Sequence, residues 1–483
     1  METKTHKFWH SLLTIMVAIS SYQTLPAQEN TQPNFVVILV DDMGWTGLSG
    51  YGSDLHQTPN IDKLAERAMK FTDAYASASI CTPTRAAFMT GKSPARLNMT
   101  IWHEATRNPP QNRKLIPPVV EPNLPHSEVT IAEVLQEAGY RTGHVGKWHL
   151  GEASHYPETQ GFDFTFGGSF WGAPPTFYFP YRGTWGSGNN AHPRYVPGID
   201  ANEPRQGEHL TDRLTDEALA FISNADDDPF FLYMSYYTVH TPIEGKPEIA
   251  DRYAKKIRLG MDHNNAHYAA MHETLDYNVG RILKKLEDQG VADNTVIILT
   301  SDNGGFINNY QDQRVTSNAP LRSGKGSLYE GGVRVPLIIH WPDGTHAGTQ
   351  SNQLVQTADL YPTILEIAGL QGDLNHNETV DGISLKPLLK YPDSTLKRDT
   401  LYWHYPHYYQ TTSPVSSIRQ GKWKLLEFFE DKRLELYNLE DDIGETRNLA
   451  ASEPKKAKEL HQKLAQWRQK MDAPMPNPNP NFK

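Results

Sequence analysis

The chain has 483 residues, 21% charged and 38% hydrophobic, an ordinary globular composition long enough for two or three domains. Its formal net charge of -10 excludes a general polyanion or nucleic-acid binder, which would be basic, yet leaves room for one small anion in a local basic pocket. A single cysteine, Cys81, excludes an internal disulfide.

Lys4 and Lys7, an apolar run over residues 8–19 and Leu25-Pro26-Ala27 before Gln28 read as a signal peptide over residues 1–27. The mature chain is then expected to be secreted or periplasmic. The run is short for a bilayer span and no later segment is apolar enough, so stable membrane insertion is not expected.

The β-branched run over residues 34–40 predicts a strand buried on both faces, ending at Asp41-Asp42. Thr58-Pro59 opens a helical pattern over residues 60–69. Cys81-Thr82-Pro83-Thr84-Arg85 opens a second helix, with Pro83 in its first turn and Ala86-Ala87-Phe88-Met89 following. A third helix is predicted over 130–138, closed by Gly139, then a strand over 141–149. Residues 151–207, rich in Gly, Pro and aromatics, read as long loops over a site.

Further along, residues 230–237 and 295–300 are apolar strands and 278–289 a helix ended by Gly290. Strands alternating with helices predict an α/β domain with a largely parallel sheet. Near residue 371 the character changes. Residues 417–429 and 434–439 read as an antiparallel hairpin, 453–471 as a charged helix, and the Pro/Asn tail as disordered.

Two predicted strands end in acidic groups, Asp41-Asp42 and Asp302-Asn303. Ligands collect beyond the carboxyl ends of parallel strands. Adjacent carboxylates repel by up to roughly 4 kcal/mol at an effective dielectric near 20, a cost that a cation removes. Oxygen ligands suit calcium or magnesium.

Cys81 would sit at the positive end of its helix, where anions are stabilised, with Arg85 offering a forked donor to an oxyanion. An unpaired thiol outside the cytoplasm is open to oxidation, so Cys81 is either a buried, inert side chain or one that does not remain a thiol. In strand-like alternation, Lys147 and His149 would share a face, pairing a cation with a proton carrier. His240 lies just beyond a strand, and Lys325 stands in a glycine-rich basic segment, residues 321–336. That segment lacks the Gly-Lys-Ser/Thr ending of a nucleotide-binding loop.

Taken together these residues resemble the formylglycine-dependent sulfatase family of the alkaline phosphatase-like superfamily. Cys81-Thr82-Pro83-Thr84-Arg85 with Thr90-Gly91-Lys92 matches its modification motif, and residues 146–151 its Gly-Lys-Trp-His-Leu-Gly motif. Residues 301–304, Lys325, residues 330–336, Leu436-Tyr437-Asn438-Leu439, Glu445 and Asn448 fit as well.

The resemblance implies a mixed, largely parallel sheet flanked by helices in a catalytic α/β domain over 28–370. A smaller C-terminal α+β subdomain over 371–483 would carry an antiparallel sheet. It implies one calcium per chain on Asp41, Asp42, Asp302, Asn303 and the modified Cys81, with Arg85, Lys147 and Lys325 positioning sulfate and His149 and His240 managing protons.

Oxidised to formylglycine (3-oxoalanine) by a formylglycine-generating or maturase enzyme and then hydrated, position 81 would be a geminal diol. One hydroxyl attacks sulfur and the other later expels sulfate, a release step that serine lacks. Phosphonate or phosphodiester hydrolysis, and an inactive protein that binds sulfated glycans, are the alternatives. The expected substrate is a sulfated carbohydrate, most simply an oligosaccharide from polysaccharide degradation. Trp171, Tyr178, His404 and His407 are expected to wall a pocket that favours chain ends, and Lys147, His240 and Lys325 to contact the substrate.

Overall fold

The computed structural model describes residues 1–2, 32–107, 110–186, 191–225 and 228–482. The expected signal segment, apart from Met1 and Glu2, lies outside the described residues. Residues from Gln32 onward form one compact unit.

Its centre is an eight-stranded sheet in the order Thr349–Ser351, Met69–Phe71, Leu337–His340, Thr295–Ser301, Asn34–Val40, Phe230–Ser235, Arg141–Gly146, Phe164–Phe166. All neighbours pair in parallel except Leu337–His340, which runs antiparallel to both strands beside it. The sheet is therefore mixed and largely parallel.

Asn34–Val40 lies in the middle, which explains its unbroken apolar sequence. Val36, Ile38 and Val40 pack on one face with Leu214 and Phe221 of the helix Leu210–Ser223 and Met271, Leu275 and Val279 of the helix Ala266–Asp288. Phe35, Val37 and Leu39 pack on the other, with Phe88 of the helix Cys81–Thr90, Leu135 of Ile131–Glu137 and Ile364 of Leu360–Ala368. Each such apolar side chain contributes about 1.5–3 kcal/mol when fully buried. A one-residue slip in register would exchange the two faces.

Val40 aligns with Ser301, Leu39 with Ser235, and Ser235 with Gly146. Four parallel strands thus end level with one another, and the segments that follow them converge.

Several predicted boundaries shift. The helix after Thr58 covers only Pro59–Glu66, because Met69–Phe71 is taken up as a strand beside Leu337–His340. The strand expected to reach His149 stops at Gly146, whose φ is +104°. A Cβ there would stand 1.9 Å from the Ser235 carbonyl oxygen, so only glycine lets the chain turn over its neighbour. The helix over 278–289 is the second half of Ala266–Asp288.

The C-terminal hairpin is a four-stranded antiparallel sheet, Thr400–Tyr405, Val415–Gln420, Trp423–Phe428 and Leu434–Asn438. Gly421, at φ +53°, turns the segment read as one strand into two. Ala457, Leu460 and Leu464 of the helix Pro454–Met471 cover one face. Leu401, Trp403 and Leu426 on the other meet Tyr75, Ile80 and Cys81. The tail read as disordered is tied down instead: Asn477–Pro478 pairs with Leu115–Ile116, and the Pro474 carbonyl accepts from His404 Nε2 at 2.8 Å. Among the described residues no helix is long and apolar enough to cross a membrane.

Candidate active site

Asp41 and Asp42 leave the end of one central strand, Asp302 and Asn303 the end of its neighbour, and all four are buried. Asn303 Nδ2 donates to Asp42 Oδ1 at 2.8 Å, and the Asp42 amide donates to Asp302 Oδ1 at 3.2 Å. Asp42 holds φ at +60°, a left-handed conformation that costs on the order of 1–3 kcal/mol and persists where surroundings impose it. Burial pushes the Asp41 carboxyl well above the usual range, with Lys147 opposing and Asp302 and Asp42 adding. For Asp42, burial acts upward but Lys325, His240 and Lys147 outweigh it and hold the carboxyl low.

Three cations answer this cluster. Lys147 Nζ lies 2.7 Å from Asp41 Oδ2, and Lys325 Nζ 2.8 Å from Asp42 Oδ1. Arg85 donates through Nε and Nη2 to Asp302 Oδ2 at 3.0 and 2.8 Å, and through Nη1 to the Lys147 carbonyl at 3.0 Å. Because Arg85 lies four residues after Cys81, this fork ties the helix start to Asp302 and to the turn that follows the strand Arg141–Gly146.

Cys81 begins its helix, 3% exposed, with Sγ 3.3 Å from His149 Nδ1. Burial raises the thiol, but Lys147, His149 and Lys325 together bring it down to about 6. A thiol at a helix N-terminus, beside cations and lining a cavity, fits a reactive position better than an inert core cysteine.

His149, at φ +60°, is held from both sides: Thr82 Oγ1 donates to its carbonyl at 2.8 Å, and its Nε2 lies 3.1 Å from Glu104 Oε2. Burial lowers the imidazole's pKa, while Cys81 and Glu104 more than restore it, so the net shift is upward. In Glu104 burial is again opposed, here by His149 and Arg194, and the carboxyl falls to about 2. A Cβ on Gly172 would come within 2.4 Å of His149 Cε1, so glycine lets the loop close over the ring.

His240 Nδ1 donates to the Thr241 carbonyl at 2.8 Å, which leaves Nε2 facing Asp42 Oδ2 at 3.6 Å. Burial, followed by Lys325, places its pKa well below the usual value, so this imidazole is neutral.

These groups open onto a cavity of about 240 Å³ walled by Trp102, Trp185, Arg194 and Tyr409, with Cys81, His149, His240 and Lys325 at its base. The expected wall is largely elsewhere. Trp171 stands behind the wall, with Arg194 Cζ 4.4 Å over its ring. Tyr178 pairs with His209 and packs edge-on against that ring. His404 is bonded to Ser416 Oγ at 2.6 Å and to Pro474, as a buried donor in the antiparallel sheet. His407 bonds Thr100 Oγ1 at 2.8 Å and lines a second, larger cavity of about 680 Å³ that holds none of the acidic cluster and meets the first at Trp102.

Sequence reading missed Glu104, Trp102 and Tyr409. Glu104 belongs to the short helix His103–Arg107, and nothing local pairs it with a histidine 45 residues away. Trp102 and Tyr409 form an edge-on pair with centroids 5.9 Å apart, and the Trp102-His103-Glu104 run was the available signal.

The donor set fits a hard cation. Asp41 Oδ1 and Asn303 Oδ1 are buried oxygens without a hydrogen-bond partner among the described residues, and an oxygen-seeking ion satisfies both. Asp41, Asp42 and His240 each bring a ligand atom within 4.8 Å of the others. Both Asp302 oxygens are engaged, by Arg85 and by the Asp42 amide.

A buried cluster of carboxylates and cations at the carboxyl edge of a mixed sheet, with a cysteine at a helix N-terminus facing a held imidazole, is an arrangement suited to hydrolysing anionic esters. Residues 33–370 match the family model described as Sulfatase, and residues 324–470 that described as N-sulphoglucosamine sulphohydrolase, C-terminal. The chain belongs to the sulfatase family, whose members are sulfuric ester hydrolases.

It is 33% identical to a sulfatase of Formosa agariphila over 96% of this chain and 93% of that one. To the N-acetylgalactosamine-6-sulfatase of Homo sapiens it is 33% identical, over 80% and 74% of the two chains. The solved structure of Ps i-CgsB in complex with k-i-k-neocarrahexaose matches at TM-score 0.74 and 28% identity, over 93% of this chain and 94% of that one.

Proposed function

We propose that this chain removes sulfate from oligosaccharides of a sulfated glycan, outside the cytoplasm, with position 81 as formylglycine and one calcium ion on Asp41, Asp42, Asp302, Asn303 and position 81. The observation that carries the reading is Cys81 at a helix N-terminus, 3.3 Å from His149 Nδ1 and on the same cavity as Lys325. A relative named N-acetylgalactosamine-6-sulfatase and a neighbour solved in complex with k-i-k-neocarrahexaose support a glycan substrate.

As a hydrated formylglycine, made by a separate maturation enzyme, position 81 would supply one hydroxyl to attack sulfur and a second to expel sulfate. Calcium would supply charge that draws electrons from the sulfate oxygens. The chain's own residues do the rest. Glu104 holds the Nε2 proton of His149, so Nδ1 presents its lone pair to position 81 and takes a proton there. Arg85 and Lys147 orient the acidic strand ends and place positive charge beneath the transferring group, where each well-aimed donor contributes roughly 2.7–4 kcal/mol.

On the leaving-group side the two candidates differ. His240 is neutral with its Nδ1 proton given to Thr241, whereas Lys325 is charged and held by Asp42. Lys325, whose charge Asp42 holds in place, is therefore the better group to stabilise the departing oxygen as negative charge builds on it.

The test is hydrolysis of a matched aryl sulfate and aryl phosphate by the matured enzyme. The sulfate ester is expected to be cleaved much faster. Faster cleavage of phosphate or phosphonate esters would reassign the chemistry, and binding of sulfated glycans without turnover would reduce the protein to a binding module.

A further inference from the structure

The proposed chemistry accounts for every cation at the base of the cavity but not for Arg194 on its wall. Arg194 belongs to the strand His192–Tyr195, hairpin partner of Arg182–Trp185, and is 7% exposed. Its guanidinium carbon lies 4.4 Å from the ring centroid of Trp171 and 4.4 Å from that of Trp185. Two indoles therefore fix the orientation of the group and dry its surroundings.

Among the described residues its hydrogen bonding is thin for so buried a charge. Nε lies 3.3 Å from His192 Nε2. Nη2 lies 3.4 Å from Glu104 Oε1, long beside the roughly 2.7–2.9 Å of a good charge-assisted bond. Glu104 is shared, since its other oxygen holds His149 at 3.1 Å. Among the described residues no Asp or Glu lines the cavity. Burial makes the charge harder to keep, and Glu104 only partly offsets that. A buried cation with half a counter-ion is costly unless a ligand completes it.

We infer that Arg194 is a specificity-determining residue that binds a second anionic substituent of the substrate, a hexuronate carboxylate or a second sulfate ester, on or beside the sugar that carries the sulfate to be removed. The inference rests on the sulfatase reading and narrows its substrate to sugars with two negative groups. Arginine suits the task because its planar fork matches both carboxylate and sulfate, and the indole clamp leaves little freedom to lose on binding.

The experiment uses the matured enzyme and a matched set of disaccharides: one bearing a single sulfate, the same with a hexuronate carboxylate, and the same with a second sulfate. An aryl sulfate serves as control. The wild type is expected to favour one of the two dianionic sugars by on the order of tenfold or more in kcat/KM, the range of a charged hydrogen bond. The preferred arm tells carboxylate from sulfate.

Arg194→Met is expected to bring that ratio close to one, mainly through KM, and Arg194→Lys to restore part of it. A role confined to holding Glu104 would lower all substrates together and leave the ratio intact. Calorimetric binding of the same sugars to Cys81→Ser, with and without Arg194→Met, reads the contact without turnover. A wild type indifferent to the second anion, or a ratio that survives Arg194→Met, overturns the inference. Failure of the matured enzyme on all three sugars and on the aryl sulfate would instead overturn the sulfatase reading beneath it.

Discussion

Glu104 Oε2 stands 3.1 Å from His149 Nε2, on the far side of the imidazole from Cys81 Sγ at 3.3 Å from Nδ1. The carboxylate thus sets which nitrogen carries the proton and raises the pKa of the ring. Glu104→Gln is expected to lower kcat roughly 10- to 100-fold, the worth of a charged hydrogen bond. Without the anion His149 loses its proton at lower pH, so the acidic limb of the pH–rate profile should move down. A profile that keeps its limb in the variant would remove Glu104 from the account.

Asp41 Oδ1 and Asn303 Oδ1, buried and without a hydrogen-bond partner among the described residues, predict one tightly held calcium ion per chain. Elemental analysis of purified protein should find it, and Asp42→Asn should weaken metal binding and catalysis together. Stoichiometric zinc, with calcium absent and not needed for turnover, would mean that His240 serves as a ligand and would shift the chemistry toward phosphate esters.

Behind the Lys325 loop, Lys424 Nζ is fully buried between Glu330 Oε1 at 2.8 Å and Glu445 Oε1 at 3.2 Å. Lys424→Met leaves two buried carboxylates facing each other and should destabilise the fold by about 3–5 kcal/mol. Burial, with Glu330 adding and Lys424 opposing, pushes the Glu445 carboxyl up to about 7. The folded state therefore binds this proton more tightly than the unfolded chain, so its contribution to stability is full below about pH 4.5 and is lost as pH rises through 7. Denaturant titrations at pH 5 and pH 8 should show this downward contribution in the wild type and its loss in Glu445→Gln.

The cavity at Cys81 is small and walled by Trp102, Trp185 and Tyr409, a shape that predicts a preference for a terminal sugar over an internal one. Trp102→Ala should cost roughly three- to tenfold in kcat/KM on oligosaccharides, about the worth of one aromatic contact, and less on a small aryl sulfate. Sulfate release from an intact polymer should be slower than from its fragments. Equal initial rates per sulfate group would indicate an open groove.

What could be read from the sequence was what local pattern determines. A continuous run of β-branched residues is typical of a strand covered on both faces, and two such strands each followed by acids, after residues 40 and 301, pointed to one shared edge, where the structure places them. Cys81, Arg85, Lys147 and His149 were likewise visible as short motifs. Glu104 was not, because its partner is chosen by the fold over a loop of tens of residues and leaves no periodicity behind.

The aromatic- and histidine-rich run over residues 403–408 suggested a binding wall at His404 and His407. Instead the ring nitrogens of His404, in the antiparallel sheet, meet Ser416 and Pro474, and His407, just beyond its strand, meets Thr100, as buried polar groups must. Gly146 and Gly421 marked the two strand ends that were read too long, since their positive φ breaks an alternation that otherwise continues.

The central claim is that position 81 does its chemistry as formylglycine, and one measurement tests it most directly. The peptide containing residue 81 is weighed by mass spectrometry in preparations of graded specific activity. The account predicts the aldehyde or its hydrate at position 81, in a fraction that rises in proportion to activity, and no activity for Cys81→Ser from a host that modifies only cysteine. Full activity in protein carrying only the unmodified thiol would contradict it.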